Sequence, residues 1–283
     1  MVSFAFFGTD EFAVTVLEQL KSKNLLPSLI ITTPDKAKGR KLILTPPPAK
    51  TWSEENNIKF LQPDKLSNPD FLEQLTANSS KLFIVASYGK IIPKTVLDLP
   101  KFGTLNIHPS LLPKYRGPTP IQTAILNSDK ETETGVSVML VDEEVDHGPI
   151  LLQHKLQHES GANYVVMRDK LAKLGADLLA DVMPKWVENK IETRAQDHSQ
   201  ATFTKKINKT DGEIILDNKN SELNYRKSLA YTPWPGIYFF DQQNKRVKIT
   251  DASLENNIFV IKKVVPEGRP EMRWEDYWRG FTS

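Results

Sequence analysis

The sequence predicts an α/β fold: a doubly wound, mostly parallel sheet of the Rossmann-like kind, followed by a small, abridged β-barrel of the OB type. Three observations carry this. The runs VSFAFFG (2–8), LIIT (29–32), LFIVAS (82–87), LNI (105–107) and VSVMLV (136–141) are almost uninterruptedly apolar, as strands covered on both faces are. Between them lie helical patterns such as AKTWSEENN, PDFLEQLTA and TPIQTAIL, and strand–helix alternation argues a parallel sheet. Beyond residue 203 the pattern changes to EIILD, GIYFFD, KRVKITDAS and IFVIKKV, short segments with turn residues between them, as in a small barrel.

In chain order, Thr9 and Asp10 offer capping oxygens to a helix whose Phe12, Ala13, Val16, Leu17 and Leu20 fall at helical spacing. The turn FFGTDEF joins a strand to a helix but contains only Gly8. It lacks the later glycines that admit a pyrophosphate, and Asp10 would repel one, so packing is its better reading. The segment 162–183 puts Tyr164, Met167, Leu171, Leu174, Leu178 and Val182 on one stripe, an amphipathic helix that Pro184 should kink or end. Residues 188–202 are polar and without periodicity, as in a linker. The expected organisation is a catalytic domain over 1–187 with a basic insertion at 34–49, a linker over 188–202 and a small domain over 203–283.

Of 283 residues, 39% are hydrophobic and 25% charged, with a net charge of +2. These are ordinary globular values, so a polyanion site must come from local clustering. With no cysteine, disulfides and thiolate chemistry are excluded. The N-terminus has no basic n-region and reads as a strand, and no window is apolar enough for a membrane span. The expectation is a cytoplasmic monomer with no membrane contact.

The stretch LNIHPSLLPKYRGPTPIQ, residues 105–122, sets Asn106 and His108 two apart, so both point to one face of a strand. Ligands collect beyond strand ends in such sheets, and the run VSVMLV leads into DEEVDHGP, which can bring Asp146 to the same place. An amide N–H and an imidazolium can hold a developing oxyanion, and a carboxylate can take a proton from an attacking amine. The trio suits direct acyl transfer without a hydroxyl or thiol nucleophile. Taken singly, His108 can equally be a satisfied structural histidine and Asp146 a turn former beside Gly148 and Pro149. His147 has no evident partner, and His154, His158 and His198 read as surface residues. No histidine spacing supports a metal.

NIHPSLLPKYRG followed by PIQ, with a Gly-containing Asp loop about forty residues on, resembles the formyltransferases that use 10-formyltetrahydrofolate. The resemblance implies that Asn106, His108 and Asp146 are catalytic and that Ser110, Leu111, Leu112 and Pro113 line the folate site. It puts Tyr88, Gly89 and Asp142 nearby and implies no metal. A proline-bounded loop fits that task, since holding a donor in attack geometry lowers the barrier.

The acceptor is read from TTPDKAKGRKLILTPPPAK, residues 32–50. Lys36, Lys38, Arg40 and Lys41 can neutralise phosphates, and Leu42-Ile43-Leu44 can press on the end of a nucleic-acid stem. The bland alternative is a solvated charge run with a buried Leu-Ile-Leu strand. The pattern resembles the insertion loop of the methionyl-tRNA formyltransferases, with Arg40 on that loop's key arginine. FTKKINKTDGEI and the Tyr231–Gly236 stretch with Pro233-Trp234-Pro235 resemble the start of that family's small domain. The final MRWEDYWRG reads as a short helix with Trp274, Tyr277 and Trp278 packed inward. The resemblance implies initiator methionyl-tRNA as acceptor. The alternatives are a sugar-nucleotide N-formyltransferase with the same donor, or an RNA-binding module on an inactive fold.

Overall fold

The computed structural model describes residues 2–39, 42–128 and 133–282. The chain divides into two compact units, the first Met1–Pro118, Thr134–Gln157 and Arg168–Thr204, the second Thr119–Glu133, His158–Met167 and Lys205–Ser283. It begins with β1 (Phe4–Gly8), α1 (Glu11–Ser22), β2 (Leu29–Ile31), β3 (Lys36–Lys38), β4 (Ile43–Thr45) and α2 (Pro48–Glu55). Then come β5 (Phe60–Leu61), α3 (Pro69–Ala77), β6 (Leu82–Ala86), α4 (Lys94–Leu97), β7 (Thr104–His108), α5 (Pro120–Leu126), β8 (Glu133–Leu140), β9 (Ile150–Gln157) and α6 (Tyr164–Val187). The chain closes with α7 (Ser221–Ala230), β10 (Ile237–Phe240), β11 (Arg246–Glu255), β12 (Ile258–Pro266), β13 (Met272–Arg273) and α8 (Trp274–Thr282).

In the first unit a seven-stranded sheet runs in the order β5-β2-β1-β6-β7-β8-β9. From β5 to β7 every pairing is parallel, and β8 then runs antiparallel to β7. All five residues of β1 are buried, as the apolar run required. Asp10 caps α1, its Oδ1 accepting from the N–H groups of Phe12 (3.1 Å) and Ala13 (3.3 Å), and the helix buries the five apolar residues at helical spacing. A Cβ on Gly8 would stand 2.7 Å from the Ala13 Cβ and 3.0 Å from the Ala86 carbonyl oxygen, so this turn is filled by packing.

Of the two outcomes expected at Pro184, an end is excluded, since the helix α6 runs to Val187, with the Pro184 carbonyl accepting from the Glu188 N–H at 3.1 Å. Two expectations need correction. Residues 213–217 form no strand; only Glu213 bridges to Tyr238. Trp278 is 54% exposed while Tyr277 is buried, because Tyr277 lies against Trp274 and reaches Asp241 Oδ2 through its hydroxyl at 3.2 Å. In the second unit β10-β11-β12-β13 make one antiparallel sheet, the small C-terminal sheet expected in abridged form. Residues 190–204 belong to the first unit, where the backbone N–H and C=O of Arg194 both bond to Ile150 at 2.8 Å. Among the described residues no helix is long and apolar enough to cross a membrane.

His158, expected at the surface, has Nε2 sealed from solvent with no hydrogen-bond partner among the described residues, and burial holds its pKa below the ordinary 6.5. Above that value the ring is neutral folded and unfolded. Below it the unfolded chain gains a proton that the folded ring resists, so stability falls with pH. Urea unfolding should therefore show a loss of stability between pH 7.5 and 5.5 that is smaller in His158→Gln; equal losses in both proteins would exclude this histidine as a source.

Candidate active site

The strand β7 alternates its side chains, so Ile107 faces away from Asn106 and His108. Ile107 is fixed from behind by α6, where Gly175 is required: a Cβ there would come within 2.4 Å of Ile107 Cγ2. The neighbouring strand β8 opposes Ser137 to His108 and Met139 to Asn106. Because β8 is antiparallel, its end does not reach the site directly. The chain reverses between Leu140 and Ile150, closed by a 2.9 Å bond from the Leu140 N–H to the Pro149 carbonyl, and Asp146 projects from that reversal.

Asn106, His108 and Asp146 converge. Asp146 Oδ1 accepts from Asn106 Nδ2 at 3.3 Å and faces His108 Nδ1 at 3.4 Å. Its Oδ2 accepts from the Gly117 N–H at 2.8 Å. The other ring nitrogen, His108 Nε2, lies 2.9 Å from the Tyr115 carbonyl, which can only accept, so Nε2 carries a proton. Both ring nitrogens thus face oxygen acceptors. The His108 side chain is 5% exposed and that of Asp146 14%, a site that limits water without closing it off. Tyr115 and Asp146 both have positive φ, 60° and 50°, conformations that hold only where the surroundings fix them.

The loop between Ser110 and Gly117 is tied down by β8 and β9. The Ser137 hydroxyl donates to the Ser110 carbonyl at 2.6 Å and accepts from the Leu112 N–H at 3.1 Å. Gln153 Nε2 donates to Ser137 Oγ and to the Leu112 carbonyl, both at 2.8 Å. Arg116 is buried, its guanidinium donating to Gln196 Oε1 and, at 2.9 Å, to His198 Nδ1. Gln196 Nε2 in turn donates to the Asp146 and Gly148 carbonyls. Gln196 lies in the stretch read as featureless and polar, and its spacing gave no signal. His147 has a partner after all, since its Nδ1 is 2.7 Å from Asp142 Oδ2. His198 is exposed, as expected, and stacks on His147 at 4.1 Å.

The residues expected to line a folate site divide by exposure. Leu111, Pro113 and Asp142 are partly exposed and Gly89 is exposed. Ser110 and Leu112 are buried, because the Ser110 hydroxyl closes the turn onto the Lys114 carbonyl and Leu112 packs on Met139 and Ile150. The Tyr88 side chain is likewise in the core, edge-on to Phe7 at 5.4 Å, and burial raises its pKa well above the ordinary tyrosine range. Only its backbone is left for ligand contact.

Of the basic insertion, Lys36 is exposed on β3, while Arg40, Lys41 and the side chain of Lys38 lie outside the described residues. β3 and β4 form an antiparallel ribbon. Leu42, Ile43 and Leu44 are 72%, 62% and 67% exposed, which rules out the buried-strand alternative. The base of the ribbon is anchored at Asp35, which accepts from Gln62 and Lys50; these partners, Gln62 first, hold its carboxyl below the ordinary carboxylate range.

The chain matches the family model described as formyl transferase over residues 2–183 and that described as formyl transferase, C-terminal domain, over residues 206–259. It is 44% identical over 235 residues to a methionyl-tRNA formyltransferase of Chloroflexus aurantiacus, covering 83% of this chain and 75% of that one. It is 39% identical over 254 residues to one of Staphylococcus aureus, covering 90% and 80%. Among solved structures, an N-formyltransferase of Helicobacter canadensis in complex with folinic acid and dTDP-3-aminofucose shares the fold, with a TM-score of 0.64, 19% identity and coverage of 90% and 89%.

Ser137→Ala would leave the buried Leu112 N–H without an acceptor, and urea unfolding should report a loss of about 1–3 kcal/mol. A change within about 0.5 kcal/mol would show that the loop does not depend on this hydroxyl.

Proposed function

Because the chain belongs to the methionyl-tRNA formyltransferase family, we propose that it transfers the formyl group of 10-formyltetrahydrofolate to the α-amine of methionine esterified to initiator tRNA, as a cytoplasmic monomer. The observation that carries the reading is the convergence of Asn106, His108 and Asp146 at the end of β7. The neutral amine attacks the formyl carbon, forming a C–N bond while the carbonyl electron pair moves to oxygen. Asn106 donates an N–H to that oxyanion and His108 stabilises its charge. Asp146 orients the imidazole and takes the proton from the nitrogen that has attacked. As the carbonyl re-forms, the bond from carbon to N10 of the folate breaks and N10 leaves with a proton, giving tetrahydrofolate and formylmethionyl-tRNA.

The donor is read from the family and from the folinic acid bound by the Helicobacter canadensis relative. Leu111, Pro113, the Gly89 backbone and Asp142 are available to it, with Ser110, Leu112 and Tyr88 shaping the walls. For the tRNA, the exposed row Leu42-Ile43-Leu44 offers an apolar face to a stem end, and Lys36, Lys38, Arg40 and Lys41 supply charge for its phosphates. The small domain adds a slight excess of Lys and Arg.

The test is to supply 10-formyltetrahydrofolate with charged initiator tRNA and, separately, with an amino-sugar nucleotide. Formylation of the tRNA alone is expected; formylation of the sugar alone would transfer the chain to the other acceptor class. Alanine at Asn106, His108 or Asp146 should lower turnover by about 10²–10⁴-fold in proteins that keep their circular dichroism. A folded His108→Ala enzyme at full rate would refute the assignment.

A further inference from the structure

We infer that Gln196 is a positioning residue for the transfer step, an inference that rests on the formyl-transfer reading. It is buried, 6% exposed, and uses both ends of its carboxamide. Its Nε2 donates to the Asp146 carbonyl at 2.9 Å and the Gly148 carbonyl at 2.7 Å. Its Oε1 accepts from Arg116 Nη2 at 2.7 Å and Nε at 3.2 Å. Arg116 directly precedes Gly117, whose N–H holds Asp146 Oδ2 at 2.8 Å. One side chain therefore joins the two loops between which the Asp146 carboxylate is fixed.

The backbone of Asp146 makes that junction necessary. Its φ of 50° lies in the left-handed region, which an aspartate enters at a small cost and leaves unless it is held. Gly148, two residues on, sits so close to the Leu140 carbonyl that a Cβ would come within 2.1 Å of it, so the reversal has little freedom on that side. On the other side Gln196 supplies two hydrogen bonds to the turn's carbonyls. A carboxylate displaced by about 1 Å changes rates by about a hundredfold.

Two variants of the full chain separate this from a general packing role. Gln196→Met keeps the bulk and removes all four bonds. Gln196→Glu keeps an acceptor for Arg116 but sets carboxylate oxygen against two carbonyl oxygens. Single-turnover transfer to charged initiator tRNA should fall by about a hundredfold in both, with KM for the folate donor and for tRNA changed by less than about threefold. If Gln196 served only to satisfy Arg116, Gln196→Glu would keep the wild-type rate, and that result overturns the inference. Crystal structures of wild type and both variants give a readout independent of activity. The Asp146 carboxylate should leave the Gly117 N–H in the variants, and a carboxylate unmoved in a variant also overturns the inference. A wild-type protein that does not formylate tRNA sinks the functional reading instead, and the structures still decide the positioning role.

Discussion

The carboxylate of Asp146 meets three groups at once: the Asn106 amide, the His108 ring and the Gly117 N–H. The first two stand on a rigid strand buried in the sheet, whereas the acid and its glycine partner come from loops. A strand can hold a side chain to a fraction of an ångström because its neighbours fill the space around it. A loop has no such support and must be fixed by hydrogen bonds. The geometry of the trio thus depends on how firmly the acid's own loop is tied.

The ties are mostly neutral groups. Ser137 and Gln153 hold the backbone of residues 110–112, and Gln196 holds the turn at 146–148. A carboxamide can donate and accept at the same time without bringing in a second charge that would compete with Asp146 for His108. The one strong charge among the ties, the buried Arg116, donates to the Gln196 oxygen and His198, with the Phe203 ring 5.9 Å from its guanidinium carbon.

Much of the fold could be read from local pattern, because β1, β2, β6, β7 and β8 are apolar enough to stand out and the helices between them have one apolar face. The missed elements are those whose side chains are half in water. In β9 His154, Lys155 and Gln157 are exposed, so its apolar run is short. The ribbon of β3 and β4 is held by backbone pairing and leaves no periodic trace. The direction of β8 is also absent from its sequence, since an apolar run reads the same in either sense. Asn106, His108 and Asp146 were legible through a long motif, whereas Gln196 was not. A single glutamine in a polar segment resembles any other until its carbonyl partners, some fifty residues earlier, fold against it. The solvent class of Ser110, Leu112 and Tyr88 was equally hidden, because a loop's inward and outward positions follow no period.

The reversed strand β8 has a consequence for where the chain can change length. Its middle sets Ser137 against His108, and its far end launches the reversal that carries Asp146, so one strand bears on two members of the trio. A residue added or removed before Ser137 would turn it to the wrong face, and one added or removed after it would shift the acid by about 3.4 Å. Insertions and deletions in this lineage should therefore avoid that strand and gather outside it, for instance among the exposed Glu143, Glu144 and Val145.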